Sequence, residues 1–143
     1  MKSSDYQFFP VNFKQELDTG MVCITAEQIQ GSASARSIEQ AKEAAKTFIF
    51  DHVLRNFKEG VVTAVPPKAK DGDVIIDLGF DGSLKIMLRN LMLEKNCRPH
   101  RLANLLNISK QNLNGMLDFN KKTKVDTLAR AFEVLGKPLQ ISC

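Results

Sequence analysis

RLANLLNISKQNLNGML, residues 101–117, reads as two short helices with a tight turn between them. The first helix puts Leu102 and Leu106 on an inner face, with the small Ala103 where a second helix can cross. Asn107 follows. After glycine it is the residue that best tolerates a left-handed backbone, so the first helix is expected to end there. Ile108 tucks under the turn, Ser109 can cap the next helix, and Leu113 and Met116 point inward. The outward side of that second helix carries Lys110, Gln111, Asn112 and Asn114.

This spacing is the one a helix-turn-helix needs, and the polar residues sit where such a unit would meet DNA. Gln and Asn amides can bond an adenine edge twice, and Lys reaches guanine or phosphate. They crowd the helix's N-terminal end with Ser109, the part that enters a major groove. NKKTK, residues 120–124, supplies Lys121, Lys122 and Lys124 on a loop suited to phosphates. Arg98, His100 and Arg101 can add backbone contacts. Without these polar groups, the same apolar spacing would describe a plain helical bundle with a solvated face.

Charge is divided along the chain. Residues 1–82 carry nine Lys/Arg and twelve Asp/Glu, a net of −3; residues 83–143 carry eleven and four, a net of +7; together they make the chain's 20, 16 and +4. A −3 could serve solubility alone. The +7 implies a module for polyanions joined to an acidic module for something else.

With 143 residues, 43% of them apolar, the chain has room for one ordinary domain or two small ones. No apolar run approaches the ~18–20 residues of a membrane helix. The start, MKSSDYQFFP, lacks the layout of a signal peptide. A soluble cytoplasmic protein with no membrane association is expected. Cys23, Cys97 and Cys143 are far apart and form no CxxC, so reduced, mostly buried thiols are expected, with no disulfide framework and no metal.

Upstream of the opening stretch, Phe9, Val11 and Phe13 alternate as in a half-buried strand, and Pro10 argues for an edge or a bulge. Asp18–Gly20 is turn material and Met21–Ala26 a second strand. Gln30–Ala35 is a short third strand or a loop. Ser37 with Gln40 fits a capping box. From there Ile38, Ala41, Ala45, Phe48 and His52 recur at helical steps, flanked by Ile49, Val53 and Phe57, to an end near Gly60. Val74–Phe80 is a strand with Val74, Ile76, Leu78 and Phe80 on one face. Ser83 can cap a helix over Leu84–Asn96 whose apolar side is Leu84, Met87, Leu88 and Leu91. A last helix, about Val125–Leu135, buries Val125, Leu128, Ala129 and Phe132, and Gly136 stops it. PLQISC, residues 138–143, can be a short C-terminal strand. The expected fold class is α+β: a small antiparallel sheet with one helix, β-β-β-α-β, over residues 1–80, followed by an all-α unit over residues 83–143.

Leu84–Ile141, with its tail TKVDTLARAFEVLGKPL, resembles the lambda-repressor-like DNA-binding domains. The resemblance implies five helices, the second and third forming the helix-turn-helix. Pro99 stands where many members carry a phosphate-contacting glutamine. The order of strands, then ARSIEQAKEAAKTFIFDHVL, then the VIIDL strand and this domain is similar to the HicB antitoxins of HicA–HicB toxin–antitoxin modules. The matching residues are SIEQAKEAAK (Ser37–Lys46), VIIDL and the whole second half. ITAEQIQGSAS replaces the Pro-Gly element that many members carry after the second strand. The resemblance implies a partial RNase H-like first domain that binds and blocks a small basic, mRNA-cleaving HicA-type toxin. It also implies a second domain that dimerises and represses its own operon on double-stranded operator DNA. In LQIS, Leu139, Gln140 and Ile141 could pair with a second copy across a two-fold axis. The sequence leaves dimer or tetramer open.

No catalysis and no cofactor are expected. Asp71, Asp73, Asp77 and Asp81 are dense enough to raise two-metal nuclease chemistry, yet three of them flank turn glycines, where Asp is a common turn residue. His52 lies on the apolar side of a helix with no acid near in sequence. No GxSxG, P-loop or HExxH is present. The rival to the antitoxin-repressor is a stand-alone transcriptional repressor whose first half senses a small ligand or only oligomerises.

Overall fold

Residues 3–139 are described by a computed structural model. A 3-10 turn, Ser3–Tyr6, leads into β1 (Phe8–Gln15), which forms a hairpin with β2 (Val22–Ala26), followed by β3 (Ile29–Ala35). Helix α1 (Ile38–Glu59) then crosses one sheet face, and β4 (Val74–Asp77) closes a four-stranded sheet in the order β3-β2-β1-β4, antiparallel at every pairing. Phe9 and Val11 are buried and Phe13 is half-buried, so the alternation read from the sequence places that face against α1. The stretch left open as strand or loop is β3.

Pro10 sits in an internal strand, and the register explains how. β1 changes partners midway: Phe8–Val11 pair with β4 and Asn12–Gln15 with β2. The Gln7 carbonyl accepts from the Leu78 N–H, so by alternation the Pro10 nitrogen turns away from β4, toward the side where β2 pairing has ended. No ladder bond is lost.

Helix α1 has the ends its sequence announces. The Ser37 hydroxyl accepts from the Gln40 N–H at 3.2 Å, and Gly60 ends the helix at φ 76°. Ala41, Ala45, Phe48, Ile49 and Val53 are buried, whereas Ile38, expected in that stripe, is 43% exposed in the first turn.

The largest correction lies at residues 78–83. The strand stops at Asp77 instead of running to Phe80, and α2 (Gly79–Glu94) begins at once rather than at Leu84. The Asp77 carboxylate accepts from the Gly79 N–H at 2.8 Å, and Gly79 turns the chain at φ 77°. Ser83 therefore caps nothing; it is buried inside α2 and its hydroxyl donates to the Ser3 carbonyl.

Helix α2 is buried on nearly every side. Besides the expected Leu84, Met87, Leu88 and Leu91, it buries Ile86, Met92, Lys85 and Asn90. It packs against the 3-10 turn, α1 and α5 (Val125–Val134), and α3 (Pro99–Leu106) packs on α4 (Lys110–Leu117) and on α5. A single apolar cluster runs from Phe9 and Ile24 through α1 and α2 to Leu113 and Phe132. Four helices, not five, follow β4 among the described residues. The residues between α4 and α5 form a loop, and Gly136 at φ 82° followed by Pro138 prevents α5 from continuing. In α5, Leu128, Ala131 and Phe132 are buried, while Val125, expected inside, is exposed in the first turn.

The buried side chains of Asn90 and Lys85 on α2 both have partners. The Asn90 carboxamide accepts from the Thr63 N–H and donates to the Thr63 carbonyl, both at 2.9 Å, and reaches the Tyr6 hydroxyl at 3.3 Å. Thr63 in turn accepts from Asn56, whose amide also faces the His52 Nε2 at 3.2 Å. The Lys85 ammonium has no exposure. It pairs with Asp81 at 3.0 Å and donates to the Asp118 carbonyl at 2.7 Å and to the Lys121 carbonyl.

Two outcomes follow. Lys85→Ala strands those carbonyls and one carboxylate, and urea unfolding should show a loss of about 3–5 kcal/mol; Lys85→Met, which keeps the volume, should lose less. Burial, and secondarily Arg55, hold the His52 pKa below its ordinary value. The unfolded chain thus takes up a proton near pH 6.5, before the folded one does. Stability from this residue is full above that pH and falls as pH drops toward the folded value. The difference in unfolding midpoint between wild type and His52→Gln should therefore shift between pH 7.5 and 5.5, in the direction of wild-type loss, and a constant difference would refute it.

Candidate nucleic-acid interface

The opening stretch folds as two eight-residue helices, α3 and α4, joined by Asn107–Ser109. Asn107 is left-handed at φ 56° and ψ 45°, which turns the chain sharply after Leu106. The Ile108 N–H bonds the Ala103 carbonyl at 3.0 Å, and the Ser109 hydroxyl accepts from the Asn112 N–H at 3.0 Å. Leu102, Ala103 and Leu106 of α3 and Leu113, Met116 and Leu117 of α4 are buried, so both helices are fixed by their inner faces.

That packing decides what α4 shows to water. Lys110, Gln111, Asn112 and Asn114 are all exposed, as are Ser109, Arg98, His100, Arg101, Lys121, Lys122 and Lys124. With Leu113, Met116 and Leu117 inward, the helical period turns Gln111 and Gly115 furthest outward. Gly115 escaped the sequence reading. At that row a glycine costs helix stability, and it is half-buried rather than exposed. The Lys121 ammonium lies 3.8 Å from the place a Cβ of Gly115 would take, so the basic loop reaches back along α4. Asn114 lies on the flank toward α1, in a cleft of about 360 Å³ shared with Thr47, Asp51, Leu54 and Pro99.

The loop between α4 and α5 owes its shape to α2. Asp81, Lys85 and Arg89 are spaced by four and share one face of that helix. Lys85 takes the Asp118 and Lys121 carbonyls, Asp81 accepts from the Thr123 N–H at 3.1 Å, and Arg89 donates to the Leu117 carbonyl at 3.1 Å. Burial pulls Arg89 down to about 10, with Asp118 opposing the fall, so the guanidinium stays charged at neutral pH. None of these three was singled out for the site in sequence; a cation four residues after Asp81 on an apolar helix was the available signal.

Two of the other acids are engaged in hydrogen bonds within the sheet half. Asp73 accepts from the Lys70 N–H at 2.8 Å and Asp77 takes Gln7 and Gly79. Leu139 is half-buried against the core of its own chain, and Gln140 and Ile141, with the rest of the expected C-terminal strand and Cys143, lie outside the described residues. Cys97 is buried and Cys23 half-buried. Among the described residues no helix is long and apolar enough to cross a membrane.

No family model matches the sequence. The chain is 24% identical over 136 residues to a protein of Photorhabdus laumondii subsp. laumondii named Antitoxin HicB 2, covering 93% of this chain and 94% of that protein. It is 27% identical over 112 residues to Antitoxin HicB of Escherichia coli (strain K12), covering 78% of each. Antitoxin HicB 1 of the same Photorhabdus is 24% identical over 113 residues, covering 79% of this chain and 69% of that protein. Similarity of 24–27% over most of the chain to proteins named HicB antitoxins supports the HicB antitoxin family for this sequence.

Proposed function

We propose that this chain is a cytoplasmic antitoxin: it binds and neutralises a small basic, mRNA-cleaving toxin of the HicA kind and represses its own operon through α3 and α4. The observation that carries the reading is the similarity to Antitoxin HicB 2, which spans 93% of the chain and so includes both halves. The charge division agrees with it. The first unit, residues 1–80 with the β-β-β-α-β order of the partial RNase H-like layout, lies within the −3 segment and faces a cationic partner. Such complementarity raises association rate and selectivity more than affinity. The second unit, residues 83–143, carries +7 toward operator DNA. In this reading the chain has no catalytic activity and binds no cofactor.

On DNA, α3 and α4 act as a lambda-repressor-like helix-turn-helix. Gln111 and Asn114 read adenine edges, Lys110 guanine or phosphate, and Ser109 and Asn112 complete the tip of α4. Arg98, His100, Arg101, Lys121, Lys122 and Lys124 contact the backbone. Two half-sites one helical turn apart require a homodimer, joined through Leu139, Gln140 and Ile141, so operator titration should consume two chains per site.

Growth rescue tests the antitoxin half. The small reading frame beside this gene, expressed alone, should arrest growth; co-expression with this chain should relieve the arrest, and the two should co-purify through residues 1–82. A harmless neighbour, or no complex, would leave only a repressor with an unassigned first half. For the DNA half, Gln111→Ala should cost about 1–3 kcal/mol at one base position and relax choice there, while Lys122→Ala should weaken all sequences about equally and lower the salt slope by about 1. Equal losses on cognate and random DNA for both changes would contradict the assignment.

A further inference from the structure

Helix α4 ends at Leu117, and its last carbonyl is taken by a residue from another helix. Arg89 Nη2 of α2 donates to it at 3.1 Å, placing a cation at the negative end of the α4 dipole. The guanidinium lies over two rings: its central carbon is 4.8 Å from the Phe57 centroid on α1 and 5.4 Å from that of Phe119, just beyond α4. Phe119 in turn stacks on Phe50 of α1, centroids 4.3 Å apart and planes 9° from parallel. The Arg89 Nε is buried without a hydrogen-bond partner, so ring faces hold the group together with the bond to Leu117. Gly82 leaves room for Phe50 at this place; a Cβ there would lie 3.2 Å from the ring.

The contacts therefore run unbroken from α1, through Phe50, Phe57, Phe119 and one guanidinium, to the backbone of α4. Lys85 fixes the neighbouring loop to α2 but touches no part of α1 in its bonds. We infer that Arg89 is a positioning residue that locks α4 to α1, so that the helix facing DNA is aimed by the first half of the chain and not only by its own helical neighbours. The aiming rests on the reading of α4 as the DNA-contacting helix; the lock does not.

Two measurements on the full chain separate these. Native-state hydrogen exchange is followed at α1 amides 48–57 and α4 amides 113–117 in wild type, Arg89→Met and Arg89→Lys. Lysine keeps the charge but loses the planar fork and the stack. Both variants should raise α4 exchange about tenfold or more, on the scale of a lost charged hydrogen bond, and α1 exchange less than about threefold. Arg89→Lys exchanging like wild type, or both helices rising together, would overturn the lock. The second measurement is affinity for a DNA fragment from upstream of the chain's own gene, across salt concentrations. Both variants should bind about tenfold more weakly with an unchanged salt slope, because no phosphate contact is removed. Unchanged affinity, or a reduced slope, would overturn the aiming role. If wild type binds no such DNA, the DNA reading fails and the aiming with it, while the exchange result still decides the lock.

Discussion

The Lys85 ammonium, with no exposed surface, organises the half of the molecule that follows the sheet. Taking a charge out of water costs several kcal/mol and is offset only where geometry and hydrogen bonds are nearly complete. Here Asp81 neutralises the charge, and the Asp118 and Lys121 carbonyls accept two of its protons. Those carbonyls belong to the loop that carries Lys121, Lys122 and Lys124. A buried lysine thus shapes the loop that displays three exposed ones. Carbonyl dipoles at Leu117, Asp118 and Lys121 are drawn toward α2, which removes acceptors from the surface that is proposed to meet phosphate.

Most of what the sequence revealed is local. Ser37, Gly60, Asn107, Ser109 and Gly136 each act within a few residues, and each stands where it was expected. The apolar alternation of β1 and the stripe of α1 follow from periods of two and 3.6 and were equally visible. The start of α2 was hidden because Val74, Ile76, Leu78 and Phe80 keep a strand's alternation past the point where Asp77 and Gly79 turn the chain. Ile38 and Val125 fit their stripes but lie in first turns that project beyond the packed surface. At the candidate interface, the identity of the exposed side chains was legible. The Asp81–Lys85–Arg89 ladder was not, since a buried cation makes sense only with carbonyls some thirty positions away: 33 for Asp118 and 36 for Lys121.

The two halves differ in charge, yet they share one apolar cluster and one central helix. Helix α2 starts as the continuation of β4, takes Ser3, Tyr6 and Thr63 on one side, and fixes the α4–α5 loop on the other. The sheet of the first half and a basic helical face are thus mounted on a common support. Such an arrangement suits a protein whose proposed tasks, holding a toxin and holding DNA, occur on the same molecule.

The change of partners along β1 has a consequence for how the sheet is assembled. Its second half pairs with β2 across a short turn, with Gln15 opposite Val22. Its first half pairs with β4, and the bond from Gln7 to Asp77 joins groups 70 positions apart. Closing a loop roughly ten times longer costs about 2 kcal/mol more in chain entropy, so the hairpin edge is topologically local and the β4 edge remote. The seam falls between Val11 and Asn12. On one side lies a meander that needs only its neighbours; on the other lies a strand that can dock only after α1 has brought the chain back across the sheet, and which then runs directly into α2.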